Sequence, residues 1–368
     1  MTMLRALGLM SGTSMDGVDV ALIETDGERI AAFGAVGYRP YGESERDVLR
    51  NSLRDAVAMT ARDQRPGVLA EAERLVTTAH AEAVERFLAD NGLTPRDIDI
   101  VGFHGQTVLH RPAEQLTVQI GDGNALAARL RIPVVHDLRA ADVAAGGQGA
   151  PLVPVYHRAL AATAKLTLPA AVLNVGGVAN ITFIDENDTL IACDTGPGNA
   201  LLDDFMLKKT GAAVDRDGAA AARGTVDEAW IATALTKPFF SAPPPKSLDR
   251  NAFASITLPD LSVEDGAATL TAFTAASVAR IVSQLPRSPG SWIVVGGGAN
   301  NPTLMRMLAE YLAPARIERG AALGWNGDAI EAQAFAYLAA RSLRGLPLTY
   351  PATTGVGAPL TGGVLARP

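Results

Sequence analysis

The sequence predicts an α/β protein built from two duplicated α/β domains. Three observations carry this expectation. The chain has 368 residues, long for one hydrophobic core and suited to two. In each half, two apolar runs of strand length bracket a glycine-containing turn: 4–10 and 18–25 around 11–17, then 171–175 and 181–184 around Gly176-Gly177. After each hairpin, strand-like runs alternate with segments of helical period, which is the pattern of α/β rather than all-β chains.

Residues 30–38 follow the turn Asp26-Gly27, so three antiparallel strands open the chain. Between 68 and 91, Leu69, Ala72, Leu75, Val76, Ala79, Ala83, Phe87 and Leu88 recur at near-helical spacing, and Gly92 closes that helix. Residues 98–103 and 117–120 read as buried strands. Around 132–136 the texture changes, and 137–149 is rich in small and charged residues, ending in Gly146-Gly147-Gln148-Gly149. The crossover is placed there. It gives an N-terminal domain at 1–135, which the C-terminal tail is free to rejoin, and a second domain at 136–368. In the second domain a strand at 190–193 follows the hairpin, then helices at 200–210 and 227–235. Pro243-Pro244-Pro245 marks a rigid surface excursion. A helix at 267–284, a strand at 292–295, the run Gly296-Gly297-Gly298 and helices at 302–312 and 328–344 complete the reading. Ligands in such sheets sit beyond the carboxyl ends of the strands, here in a crevice between two domains.

Composition narrows the partners. A hydrophobic fraction of 48% supplies ample core, and a formal charge of -7 argues against nucleic acid. No polybasic tract suggests a membrane surface, and no stretch reaches the ~18 apolar residues of a span. The N-terminal apolar run is too short for a secretory signal. A single cysteine, Cys193, rules out an intrachain disulfide. A soluble, cytoplasmic protein is expected. The sequence does not fix its assembly; a homodimer is the commonest soluble one.

Three glycine segments could carry chemistry. In Gly12-Thr13-Ser14-Met15-Asp16-Gly17-Val18-Asp19, glycines allow a tight return while amides and hydroxyls face an anion. It is not a Walker A loop, and a plain polar hairpin explains the same residues. Next, Gly176-Gly177 and Asn180 lead to Asp194-Thr195-Gly196, where Asp194 leaves an apolar strand before a glycine turn and a helix. A carboxylate there can act as general base; a turn or cap residue is the plainer reading. A second Asp-Thr-Gly is missing, so no aspartic-protease dyad is built. Third, Gly296, Gly297, Gly298 and Asn300 sit between a strand and a helix, where backbone can approach a phosphate or a flat ring. Close helix–strand packing would need the same glycines.

Other polar groups suit sugar hydroxyls: His104 and Gln106 in HGQT, and Asp122 and Asn124 after a strand. Arg139 offers a bidentate contact to an anion, though a surface arginine needs no such role. Glu331 opens a helix, where the dipole alone favours it. The five histidines show no metal-ligand pairing.

Together these segments resemble the sugar kinase, heat-shock protein 70 and actin superfamily, and within it the anhydro-N-acetylmuramic acid kinase family. The matching stretches are 8–19 (GLMSGTSMDGVD), 104–107 (HGQT), 119–124 (QIGDGN), 146–154 (GGQGAPLVP), 174–180 (NVGGVAN), 194–199 (DTGPGN), 296–301 (GGGANN) and 331–336 (EAQAFA). They run in order along essentially the whole chain. The resemblance implies two duplicated domains flanking an ATP cleft. It implies conversion of 1,6-anhydro-N-acetylmuramate, ATP and water into N-acetylmuramate 6-phosphate and ADP, in cytoplasmic recycling of cell-wall sugar. By the same resemblance Asp194 is the general base that activates water, and Arg139 helps position substrate or water. Residues 12–19 hold the nucleotide phosphates with Gly176, Gly177 and Asn180, and Gly296–Gly298 with Asn300 lie under the adenosine in the second domain. His104, Gln106, Asp122, Asn124 and Gln148 are expected on the sugar. Asp16 and Glu331 are the best-placed carboxylates for Mg²⁺, which favours oxygen ligands and phosphates. The motifs do not separate this sugar from another 1,6-anhydro sugar such as levoglucosan. A non-kinase member, an actin-like nucleotide-gated protein or a phosphatase-type hydrolase, is the alternative from another class.

Overall fold

The computed structural model describes residues 2–187, 189–249, 253, 256 and 258–368. Contacts divide the chain into two compact units, Met1–Thr163 with Asp328–Pro368, and Ala164–Gly327. The first unit begins with β1 (Leu4–Met10), β2 (Gly17–Thr25), β3 (Ile30–Pro40), α1 (Glu43–Ala56) and α2 (Leu69–Asp90). It continues through β4 (Ile100–Phe103), β5 (Gln106–Arg111), β6 (Leu116–Ile120), α3 (Gly123–Leu130), β7 (Val134–His136), α4 (Ala140–Ala144) and α5 (Pro154–Thr163). The second unit holds β8 (Ala170–Val175), β9 (Val178–Ile184), β10 (Leu190–Pro197), α6 (Ala200–Thr210), α7 (Glu228–Ala234), α8 (Pro238–Ser241) and α9 (Val263–Ile281). It ends with β11 (Ser291–Val295), α10 (Pro302–Tyr311) and β12 (Arg316–Arg319). The chain then returns to the first unit as α11 (Ile330–Leu343), α12 (Pro351–Thr354) and β13 (Val364–Ala366).

The two main sheets share one topology. Their orders are β13-β7-β4-β1-β2-β3 and β10-β9-β8-β11-β12. Counted from the outer hairpin strand, β3-β2-β1-β4-β7 therefore matches β10-β9-β8-β11-β12 position by position. The leading strands β1 and β8 each have antiparallel neighbours on one side. On the other side both have parallel ones. The α/β duplication expected from the two hairpins is the observed fold.

The same apolar periodicity that predicted the elements builds their cores. In α2, Leu69, Ala72, Val76, Ala79, Ala83 and Phe87 are buried, and Gly92 takes a left-handed φ of +63° just past the end. In the second unit Asn301 accepts a hydrogen bond from the Leu304 amide at 3.0 Å, with Pro302 in the first turn, so α10 starts where glycine gives way to a cap.

One packing contact in the first unit has no room for a side chain. Gly8 of β1 and Gly102 of β4 are register partners. A Cβ on Gly8 would stand 1.7 Å from the Ala332 carbonyl oxygen, and one on Gly102 2.0 Å from that of Phe335. Helix α11 thus lays its backbone directly on the two central strands, and the alanines of EAQAFA permit that approach.

Some elements were hidden from the sequence. Helix α1 buries only Leu49, Ser52 and Ala56, so its charged surface masks the period. Strand β5 begins inside HGQT with polar residues that hide its short apolar pair Val108-Leu109, and β12 and β13 are short. The crossover expected at 136 lies later in the structure: α4 and α5 group with the first unit, which ends its first pass at Thr163. Small residues at 137–149 reflect a loop and the short α4 rather than a boundary. A further correction concerns hydropathy. The stretch Val263–Gln284 has the length and mean hydropathy, 1.2, of a membrane span, contrary to the sequence reading. Since 78% of its most apolar 18 residues is buried within the protein, a core helix explains that composition.

Gly8→Val is expected to destabilise the first unit by more than about 3 kcal/mol, because helix backbone cannot move aside as a side chain would. Gly290→Ala, where an added methyl meets nothing within 4 Å, should stay within about 0.5 kcal/mol. Denaturant midpoints of the two variants measure the difference.

Candidate active site

In the first unit the carboxyl ends of two parallel strands open the site. Leu9 of β1 pairs with Phe103 of β4, so the chain leaves the sheet at Ser11 and His104 side by side. Ser11 is fully buried; its Oγ donates to Gln106 Oε1 at 2.5 Å and lies 3.2 Å from the Tyr41 hydroxyl. The Gln106 amide returns a bond to the Gly12 carbonyl at 3.1 Å. Gln106 therefore braces the glycine turn as well as lining the cavity beside it. Across the turn the Met15 amide bonds the Gly12 carbonyl at 3.1 Å, with Met15 in a left-handed φ of 55°, and the Tyr41 amide bonds Asp16. Both ends of the turn are tied while Thr13 and Ser14 stay exposed, an arrangement open to an anion.

A pocket of about 470 Å³ lies here, lined by Ser11 to Ser14, His104, Gln106, Thr107, His110, Arg139 and Glu331. Arg139 is held from two sides. Its Nε and Nη2 donate to His104 Nε2, each at 3.2 Å, and Nη1 donates to the Gly149 carbonyl at 2.9 Å. Burial, then the Arg139 charge, pushes the His104 pKa well below its usual value, so this imidazole is a neutral acceptor. Burial lowers Arg139 to about 10, opposed by Glu331, so it remains a cation at neutral pH. The Gly149 carbonyl is itself fixed by Asp142, whose Oδ1 accepts the Gly149 amide at 2.6 Å while Oδ2 accepts the Thr354 hydroxyl at 2.6 Å. Burial raises Glu331, and Arg139 works against that rise.

Carboxylates gather beside the turn. Asp19 is raised to about 6, first by burial and then by the negative charges of Glu331, Asp328 and Asp16. These are all oxygen donors in mutual repulsion, a set that suits a hard divalent cation. Among the described residues no three such groups stand close enough to hold a metal ion by themselves. Phosphate oxygens and water would have to complete any shell.

The second unit repeats the glycine device. The turn Gly176-Gly177 joins β8 to β9 and is clasped by the next segment: the Gly198 amide bonds the Gly177 carbonyl at 2.9 Å, and the Asn199 amide bonds the Gly176 carbonyl at 2.8 Å. Val295 of β11 pairs with Asn174 of β8, which brings Gly296–Gly298 next to this turn. Gly296 has φ +78°, and a Cβ there would stand 2.4 Å from Asn174 Oδ1. Asn300 is exposed and Asn180 half-buried. Asp194 lies on β10 opposite Asn180, just before a bulge beyond which pairing resumes at Gly196 and Ala179. Its amide donates to the Lys246 carbonyl at 2.9 Å, and its Oδ2 accepts the Leu248 amide at 2.6 Å. Burial raises this carboxyl to about 6, against the lowering effect of the Leu248 bond.

Not every expected residue meets these groups. Asp122 caps α3, accepting from the amides of Asn124 and Ala125, and neither Asp122 nor Asn124 lines the pocket. Gln148 is exposed, its backbone N–H donating to the Thr354 carbonyl at 2.7 Å, and is also off the pocket wall. Val18 is fully buried in the core, so only its backbone is open to a ligand. The sequence reading missed His110, Tyr41, Asp142, Asp328 and the 246–248 segment, while Thr107 of HGQT does line the pocket. The spacing from His104 to His110 held a signal for β5; the others come together only through tertiary pairing.

A family model described as anhydro-N-acetylmuramic acid kinase matches residues 4–367. An anhydro-N-acetylmuramic acid kinase of Nitrobacter winogradskyi is 66% identical over 366 residues, covering 100% of both chains. One from Rhodopseudomonas palustris is 67% identical over 366 residues, again covering 100% of each. One from Methylorubrum extorquens is 58% identical over 378 residues, covering 100% of each.

Because like charge contributes to the Asp19 shift, Glu331→Gln should move its titration below pH 6 in metal-free protein. Asp194 is shifted by burial, so its titration near pH 6 should stay. Carboxyl-carbon NMR across pH 4 to 8 (~one point per half unit,) follows both; an Asp19 signal indifferent to Glu331→Gln would remove the charge coupling.

Proposed function

The chain belongs to the anhydro-N-acetylmuramic acid kinase family, and from that premise we propose how its residues carry out the reaction. The enzyme uses ATP to phosphorylate 1,6-anhydro-N-acetylmuramic acid while opening its anhydro bridge with water, in peptidoglycan recycling. The observation that carries the residue assignment is Asp194: one carboxylate oxygen tied by a backbone amide, with a pKa of about 6. Ionised at neutral pH and only weakly hydrated, it takes a proton from water as the water oxygen bonds the anomeric carbon. The bond from that carbon to oxygen 6 breaks, and oxygen 6 takes the γ-phosphoryl group as the bond to ADP breaks. Proton and phosphoryl group are both accounted for.

Phosphoryl transfer asks mainly for position and charge stabilisation. The tied turn at 12–19, with Gly176, Gly177 and Asn180, supplies amides and hydroxyls to the phosphates. Gly296–Gly298 and Asn300 offer bare backbone to the adenosine. Arg139, oriented by neutral His104, positions substrate or water, and Gln106 presents its amide to the sugar side while bracing the turn. Mg²⁺ fits the oxygen-only group of Asp16 and Glu331 beside Asp19, held jointly with phosphates; bound there it would neutralise charge on the transferring group. A kinase that draws on ATP and returns an amino-sugar phosphate to metabolism belongs in the cytoplasm.

The test is incubation with ATP, Mg²⁺ and 1,6-anhydro-N-acetylmuramate, with levoglucosan in parallel, following ADP and the 6-phosphate. ADP release should depend on the first sugar; release independent of either would overturn the kinase reading. Asp194→Asn should lower kcat by at least about 10³-fold while ATP still binds. A raised carboxyl acts as base only when ionised, so kcat/KM should climb through pH 6 and level off above it. Chelation should abolish turnover, and Glu331→Gln should raise the Mg²⁺ needed for half-maximal rate by about tenfold.

A further inference from the structure

The proline-rich segment at 243–248 has an exposed start at Pro243 and a half-buried end at Lys246 and Leu248. Prolines at 243–245 fix φ and remove three amide donors, and the chain bends through 244 and 245 without helical or strand structure. Its end is anchored by a side chain. Lys246 Nζ donates to the Phe239 carbonyl at 3.0 Å and to Gln284 Oε1 at 3.3 Å, and lies 4.8 Å over the Phe239 ring. Gln284 is fixed in turn by its amide on the Phe240 carbonyl at 2.7 Å. Leu248 packs against the apolar cluster around Phe240 and Phe273. A segment so fastened presents two backbone groups to one residue: the Lys246 carbonyl accepts from the Asp194 amide at 2.9 Å, and the Leu248 amide donates to Asp194 Oδ2 at 2.6 Å.

We propose that residues 243–248 form a positioning strap for the catalytic base, holding Asp194 Oδ2 so that Oδ1 is the oxygen that takes the proton from water. The proposal rests on Asp194 being the base. Strand pairing sets the Asp194 backbone opposite Asn180, with a register shift just after it, and fixes neither carboxylate oxygen. The strap supplies the missing constraint from the other side. It also sets the charge state. No ionised side chain contributes to the Asp194 shift, so burial and the Leu248 amide are the opposing influences. Of the titratable neighbours, Cys193 is pushed up to about 12 by burial and stays neutral, while the Lys246 ammonium is turned to Phe239 and Gln284.

The strap is tested by removing one donor and nothing else. Replacing Leu248 with its α-hydroxy analogue turns that amide into an ester, keeping the side chain; Leu248→Ala keeps the amide and shortens the side chain. The ester should lower kcat at least about tenfold and move the acid limb of the pH–rate profile up by about one unit. Leu248→Ala should leave the acid limb in place. Lys246→Met should lower kcat with ATP affinity unchanged, and Lys246→Arg should restore part of it. If Asp194→Asn is inactive yet the ester keeps both kcat and acid limb, the strap is wrong and the base stands. An active Asp194→Asn overturns the base assignment and the strap with it.

Discussion

Much of the first unit depends on one contact, the backbone of α11 lying on Gly8 and Gly102. Those glycines are register partners on adjacent parallel strands, so their missing side chains make one trough across the sheet. A helix that enters the trough is fixed in height and in register. Its first turn carries Glu331 to the pocket. The same contact returns the C-terminal segment to the first unit, and with it Thr354, which holds Asp142, which holds Gly149, which holds Arg139. A chain of short bonds from the C-terminal segment thus sets the direction of a guanidinium near the middle of the sequence. Buried networks of this kind are unforgiving, because each unpaired member left inside costs more than its bond contributes.

The second unit solves the same geometric problem with different atoms. Where the first ties its turn through Ser11, Gln106 and Tyr41 side chains, the second clasps Gly176-Gly177 with backbone amides of Gly198 and Asn199. A Cβ on Gly198 would stand 2.3 Å from the Gly176 carbonyl, so the clasp tolerates no side chain at that point. Duplication preserved the strand order, and each copy then found its own way to hold a tight turn still.

The legible part of the sequence was the part written in local periods. Strand β1 and helix α6 fall on the residues expected, because apolar runs and a closing Gly211 are local signals. Glycine-rich turns after strands were legible for the same reason, as was Asp194 after its apolar run. What the sequence withheld is tertiary. Nothing local in Gln106 says that its amide spans 94 residues to Gly12, and nothing in Asp142 tells of Thr354, 212 residues away. Asp122 shows the opposite failing: a short polar residue before a helix suits a ligand and a cap equally, and here it caps. The family resemblance supplied the family and the reaction, but not these pairings.

The charge states form a consistent set. With the roles proposed for Asp194, Arg139 and His104, the reaction asks for an ionised base, a cation beside charged oxygens and a neutral acceptor that orients the cation. Burial acts on all three groups but leaves each in a different state. It drives His104 to a neutral acceptor, lowers Arg139 to about 10 without discharging it, and raises Asp194 only to about 6. The outcome differs because the starting values differ, and because a single amide restrains the rise in Asp194. A fully desolvated carboxylate with no donor would climb past neutrality and cease to be a base at working pH. In the role proposed for Asp194, one anchored backbone N–H restrains that rise, so the carboxyl stays ionised at neutral pH and still basic.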